Sequence, residues 1–267
     1  MIIFLVCPNF TSSTYKRIII KIGSDVVSDA KIEELARDCS HLVQQDKELL
    51  IVSSGAIKTG KESVSLEGED DIHQKQAYAA IGQPYLMSRY NTAFSRHNQP
   101  IAQNLFTRED IGYKPEFEKR HYNTVATLER LLHNSVIPII NENDTTAVEE
   151  IQFGDNDTLS ALVSRAMNTD LLIFLSDVDG VYTRESYYQK EKEIIPVVKQ
   201  EEISEVRKHC VDEKAENGTG GMLSKINAAE IAVQHGCYVL IVNGNTPDII
   251  QRVFRRDYTG TLFIPEK

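Results

Sequence analysis

Lys21 is the penultimate residue of an apolar run, Arg17–Ile22, which Gly23-Ser24 follow at once. An ammonium on a strand of a parallel sheet needs a reason, because burying it alone is costly. A glycine beside it lets the backbone come close to a phosphate. The competing reading is an edge-strand lysine pointing to water. Lys225 poses the same question elsewhere. It ends Gly218-Thr219-Gly220-Gly221-Met222-Leu223-Ser224-Lys225. Glycines leading into a helix N-terminus form an anion cradle. A lysine in the first helical turn opposes the helix dipole, which points to a polyanion close by.

Three polar loops follow other strand ends. Ser53-Ser54-Gly55-Ala56-Ile57 offers free amides and a hydroxyl to an anion. Asn141-Glu142-Asn143-Asp144 is either a turn or a polar pocket, with Asp144 suited to an ammonium and the Asn amides to a carboxylate. Gly154-Asp155-Asn156-Asp157 has more polar groups than a simple N-cap requires. A near-match to a phosphate-binding P-loop, Gly55 to Glu62, fails at its last position. That position must be Ser or Thr to hold Mg²⁺, and a carboxylate stands there. Two distant lysines, Gly-rich amide clusters and two Asn/Asp loops fit a nucleoside triphosphate beside a small zwitterionic acid.

These stretches gain meaning from the elements that must carry them. Apolar, β-branched runs predict strands at Arg17–Ile22, Glu48–Ser53, Pro100–Phe106, Val136–Asn141, Leu171–Ser176 and Tyr238–Val242. Between them, helical periodicity predicts helices over Ser28–Gln45, Asp71–His97, Glu118–His133, Thr158–Met167 and Met222–Gln234. Pro84, in Gly82-Gln83-Pro84, is expected to end one helix or start the next. Strands separated by helices argue for an α/β fold with a mainly parallel central sheet covered on both faces. Each polar stretch then sits at a strand end or helix start, and ligands in such sheets collect at the carboxyl ends of strands. Glu67–Asp71 reads as a solvated acidic loop, and residues 1–15 as an extension with little core content, expected to be mobile.

Composition narrows the partners. Lys and Arg number 29 against 39 Asp and Glu, a net charge of −10, which argues against sequence-independent nucleic-acid binding. Cys7, Cys39, Cys210 and Cys237 are scattered, without Cys-x-x-Cys or His at metal spacing, so buried reduced thiols are expected and no protein metal site. The apolar start, Met1 to Cys7, is shorter than a signal-peptide core, and no later run reaches a membrane span. A soluble cytoplasmic protein is expected.

In chain order, residues 21–24 (KIGS), 53–56 (SSGA), 141–157 (NENDTTAVEEIQFGDND), 176–183 (SDVDGVYT) and 218–225 (GTGGMLSK) resemble the amino acid kinase family, and within it the glutamate 5-kinases. The likeness runs from about residue 16 to residue 263, and its 141–157 segment discriminates against relatives acting on acetylglutamate, aspartate, carbamate or UMP. The resemblance implies one domain over residues 16–267 with a three-layer αβα sandwich. It implies transfer of the ATP γ-phosphoryl to the side-chain carboxylate of L-glutamate, giving L-glutamyl 5-phosphate on the way to proline, with Mg²⁺ accompanying ATP. By position, Lys21 and Lys225 match the lysines flanking the transferring phosphoryl, and Asp157 the acidic residue that organises them. Ser54, Asp144 and Asn156 match glutamate contacts, with Asn141 and Asp155 nearby. Ser176 and Asp177, together with Thr219, Gly220, Gly221, Met222, Leu223, Ser224 and Lys225, match nucleotide-binding stretches. Many relatives are homo-oligomers inhibited by proline. Three departures accompany the likeness: the C-terminal RNA-modification-type domain of many bacterial members is expected to be lacking, the N-terminal extension is unusual, and Asp25 stands where a small hydroxyl residue is common. Competing classes are a same-fold kinase for another small acid, a non-catalytic amino-acid sensor, which retention of both lysines disfavours, and a P-loop switch, which Glu62 disfavours.

Overall fold

The computed structural model describes residues 15–146, 156–183, 193–209 and 221–266. Its elements run β1 (Arg17–Ile22), α1 (Asp29–Gln44), β2 (Glu48–Ser53), α2 (Ala56–Ser63), α3 (Ile72–Ser95), β3 (Ile101–Phe106), α4 (Arg108–Ile111), α5 (Glu118–His133) and β4 (Ile137–Glu142). They continue α6 (Asn156–Ala166), β5 (Leu171–Ser176), β6 (Val197–Lys199), α7 (Ile203–His209), α8 (Met222–Val233), β7 (Tyr238–Asn243), α9 (Ile249–Arg255) and β8 (Gly260–Ile264). The strands form one sheet in the order β3-β4-β2-β1-β5-β7-β8-β6. All its pairings are parallel except β7 with β8.

Strand parity divides the core into two layers, since successive side chains point to opposite faces. Ile18, Ile20 and Ile22 of β1, with Leu49 and Ile51 of β2, pack under Leu35 and Cys39 of α1, Tyr90 and Phe94 of α3 and Ile250 of α9. Ile19 of β1 and Leu50 and Val52 of β2 face the other way, toward Leu128 of α5, Leu159 and Val163 of α6, and Ile226 and Ala229 of α8. This is a three-layer αβα sandwich with a mainly parallel sheet. Lys21 has the parity of Ile19, so it projects toward the layer that holds α6 and α8. β1 pairs with β2 on one side and β5 on the other, which excludes the edge-strand reading of Lys21.

Four features differ from the sequence reading. Residues 72–95 form one uninterrupted helix with Pro84 inside it. Proline removes one helical hydrogen bond, but Tyr78, Leu86, Tyr90 and Phe94 bury a continuous face on either side of it, and that packing holds the axis through the break. Residues after Ser53 do not stay a loop: Gly55 turns with φ +106° and α2 begins at Ala56. Only glycine takes that backbone without strain. The second glycine of the P-loop-like stretch, Gly60, therefore lies inside a helix and is buried. Tyr15 belongs to the core, 2% exposed and edge-on to Tyr238 at 5.6 Å between ring centroids. The rest of the expected extension, residues 1–14, lies outside the described residues. Finally, α7, α9, β6 and β8 are short elements whose periodicity is too brief to register in the sequence.

α2 and α3 touch backbone to backbone. A Cβ on Gly82 would overlap the carbonyl oxygen of Ala56, and one on Gly60 that of Tyr78. Gly82→Ala is therefore expected to destabilise the fold by about 1–3 kcal/mol. Urea denaturation reads this, and an unchanged midpoint would show that α3 stands clear of α2. The acidic loop behaves as expected, with residues 67–71 exposed and Asp71 capping α3 through the Gln74 amide at 2.9 Å. Among the described residues no helix is long and apolar enough to cross a membrane.

Candidate active site

Strands β1 to β5 and β7 run in one direction and end on one edge of the sheet, and the last residues of several of them bring the polar stretches together. β1 ends in Lys21-Ile22, with the Gly23 amide donating to the Leu175 carbonyl at the end of β5. The Ser54 amide, just past β2, donates to the Ile22 carbonyl at 3.1 Å. Asn141 and Glu142 end β4, and Ser176 ends β5. The helices α6 and α8 start on this edge and pack against each other, so Asn156, Asp157, Ser224 and Lys225 arrive in their first turns.

The centre of the site is one carboxylate shared by two ammonium groups. Asp157 is fully buried. Its Oδ1 lies 2.5 Å from Lys21 Nζ, and its Oδ2 lies 3.4 Å from Lys225 Nζ. Ser224 Oγ donates to Oδ2 at 3.0 Å. Both lysine side chains are less than a tenth exposed. Burial pushes the Asp157 carboxyl up, but the charges of Lys21 and Lys225 and the hydrogen bonds from Lys21 and Ser224 outweigh it. They hold Asp157 below the usual carboxylate range, so it is ionised at neutral pH. Together the three groups carry one net positive charge. Lys225 opposes the dipole of α8, and part of the compensation that the sequence assigned to a bound anion comes from Asp157. The remaining charge, in a low-dielectric setting beside two helix N-termini, favours a polyanion.

A second cluster adjoins it. Asn156 Nδ2 donates to Ser54 Oγ and to Asn141 Oδ1, each at 3.0 Å. Asn141 Nδ2 donates to Gln83 Oε1 of α3 at 2.9 Å. Asn141 is 2% exposed and Gln83 is 8% exposed. Asn156 Oδ1 is buried without a hydrogen-bond partner among the described residues. Asp144 is half-buried in the turn that follows β4. Peptide sequence alone missed Gln83, because Gly82-Gln83-Pro84 drew attention only as a helix break.

The nucleotide-binding stretches are partly described. Ser176 is buried, donating to Asp177 Oδ1 at 3.1 Å, while Asp177 is exposed. Gly221, Met222, Leu223 and Ser224 are half-buried at the start of α8. Thr219, Gly220 and Asp155 lie outside the described residues. Asp25 is exposed in the turn after Gly23. Cys39 and Cys237 are free and buried, and burial pushes the Cys237 thiol up to about 12, so neither is poised as a nucleophile. Cys7 and Cys210 lie outside the described residues.

Among the described residues no group of three or more His, Cys, Asp or Glu could hold a metal ion. Mg²⁺ requires only one or two protein ligands when phosphate oxygens and waters supply the rest. The donor set here fits an ion carried in by a nucleotide.

Residues 16–243 match the amino acid kinase family. The chain is 40% identical over 270 residues to glutamate 5-kinase of Dictyoglomus turgidum, covering 96% of this chain and 69% of that protein. It is 41% identical over 262 residues to glutamate 5-kinase of Clostridium acetobutylicum, covering 95% and 96%. In fold it resembles carbamate kinase from Giardia lamblia bound to AMP-PNP, with a TM-score of 0.64 at 14% identity, covering 95% of this chain and all of that one. The chain belongs to the amino acid kinase family and, within it, to the glutamate 5-kinases.

Proposed function

We propose that the protein transfers the γ-phosphoryl group of ATP to the side-chain carboxylate of L-glutamate, producing L-glutamyl 5-phosphate and ADP. The observation that carries this is the buried Lys21–Asp157–Lys225 triad with its excess positive charge, set beside the amide-lined pocket of Ser54, Asn141 and Asn156.

Attack of a carboxylate on ATP brings like charges together, so the principal task is neutralisation and in-line positioning. A glutamate side-chain oxygen forms a bond to the γ-phosphorus as the bond from that phosphorus to the β,γ-bridging oxygen breaks. The electron pair leaves with ADP. The attacking carboxylate is already ionised, so no general base is needed. Lys21 and Lys225 bind the oxygens of the migrating group, and Asp157 orients both ammonium groups before substrate arrives. Gly221, Met222, Leu223 and Ser224 at the start of α8, with Thr219 and Gly220, and Ser176 with Asp177, hold the nucleotide. When bound with ATP, Mg²⁺ neutralises the β- and γ-phosphate charge. On the glutamate side, Asp144 pairs with the α-ammonium, while Ser54 and the amides that open α2 face the α-carboxylate. Asn141 backs that pocket through its hydrogen bond with Asn156, and the family resemblance adds Asp155 to the substrate contacts.

Trapping the acyl phosphate as a hydroxamate, with ATP and Mg²⁺, tests the reading. Glutamate should give product, and aspartate or N-acetylglutamate little. Absence of glutamate-dependent product would overturn it. In the same assay, Asp144→Ala should raise KM for glutamate roughly 10- to 100-fold, the size of one charged hydrogen bond, with little change in kcat. The family resemblance further supports a cytoplasmic homo-oligomer inhibited by proline, which sedimentation and added proline would check.

A further inference from the structure

A primary amide has one end that only donates and one that only accepts, so amides in a row must all point the same way. Gln83, Asn141 and Asn156 form such a row. We propose that Gln83 is a positioning residue that sets its direction, and that the direction commits Asn156 Oδ1 to the α-ammonium of the substrate. This rests on the glutamate kinase reading above.

The chain of consequences starts on α3. Gly82 seats that helix against the Ala56 carbonyl, which brings Gln83 within reach of β4. Gln83 presents Oε1 to Asn141, so Asn141 must answer with Nδ2. Asn141 Oδ1 is thereby turned back into the site. There it accepts from its neighbour, the Glu142 amide, at 2.8 Å and from Asn156 Nδ2 at 3.0 Å. Asn156 spends its second Nδ2 proton on Ser54 Oγ. What Asn156 has left is Oδ1, buried and without a partner among the described residues. Only a donor satisfies it. A substrate carboxylate placed there would set oxygen against oxygen, whereas an ammonium completes the row. Ser54 is oriented by the same chain: having accepted from Asn156, its hydroxyl keeps a proton to give to an anion.

Losing the Gln83 acceptor strands Asn141 Nδ2 in the interior and leaves the Glu142 amide as the one remaining anchor that holds Asn141 Oδ1 toward Asn156. The row loosens, and Asn156 Oδ1 is no longer held toward the ammonium. The cost falls on ammonium recognition and leaves the phosphoryl site, built on Asp157, untouched.

Gln83→Met keeps shape and removes the acceptor, and Gln83→Glu keeps an acceptor. Purified enzyme is assayed with glutamate, with ATP, and with glutarate as a competitor, because glutarate lacks only the α-ammonium. Gln83→Met should raise KM for glutamate roughly 10- to 100-fold while leaving KM for ATP, kcat and the inhibition constant of glutarate within a few-fold. Gln83→Glu should stay near the parent. Gln83→Asn, whose amide cannot reach Asn141, should follow Gln83→Met and serves if the methionine variant does not fold. An unchanged KM for glutamate in both the Met and Asn variants, or equal losses for glutamate and glutarate, would overturn the proposal. A parent enzyme inactive with glutamate would instead overturn the function on which it rests.

Discussion

Lys225→Ala should lower kcat by a factor of roughly 10² or more, the usual loss when one preorganised donor to a developing charge is removed. The fold should survive. Removing this ammonium leaves Asp157 opposite Lys21 at 2.5 Å, so one buried anion still faces one buried cation. The pair remains compensated, and the stability change is that of a shortened side chain. The variant thus separates catalysis from folding in a way that changes at Asp157 cannot. KM for glutamate should move little, because the amide row and Asp144 are intact. Lys225→Arg restores charge but replaces a point charge with a planar fork that cannot occupy the same position between Asp157 and a phosphoryl oxygen. It should recover only part of the rate. Steady-state kinetics with both substrates varied reads all of this, and near-normal turnover of Lys225→Ala would remove the lysine from the mechanism.

The legibility of this site in the sequence depended on how local each signal was. Arg17–Ile22, Glu48–Ser53 and Leu171–Ser176 are strands over the very residues read from their apolar runs, because a central parallel strand is buried on both faces and its composition says so. Lys21 stood out against that background. The partnership of Lys21 with Asp157 was not visible from periodicity, since it depends on the parity of β1 and on which helices cover that face. Only the resemblance joined them. Gln83 escaped for the opposite reason. Its neighbours Gly82 and Pro84 are strong local breakers, and a reading confined to local preference takes them at face value. Tertiary contact overrides both: Gly82 is where α3 meets the Ala56 carbonyl, and Pro84 rides in a helix held by its buried face. Asp25, a departure that raised a question about the phosphate site, stands exposed in the turn after Gly23.

Asp157→Asn should be the most damaging single change in the site. It leaves two lysines, each less than a tenth exposed, without the carboxylate that they share. Breaking a buried pair by removing one partner typically costs about 3–5 kcal/mol, because the remaining charge is uncompensated. Here two charges remain, and they also repel. Activity should fall at least as far as in Lys225→Ala, since both ammonium groups lose their orientation. Adding Lys21→Met to Asp157→Asn removes one of the stranded charges, so the double variant should be more stable than Asp157→Asn alone. Independent contributions would make it less stable, and that outcome in urea denaturation would show that the triad is not one charge-coupled unit. Acid provides a second reading of the same coupling. The folded-state pKa of Asp157 lies below its unfolded value of about 3.9. Its contribution is therefore fully present above that pH and fades as pH falls through the folded value. The stability gap between parent and Asp157→Asn should be constant from neutral pH down to about pH 5, then close in stronger acid as the parent takes up the proton that the asparagine never needed.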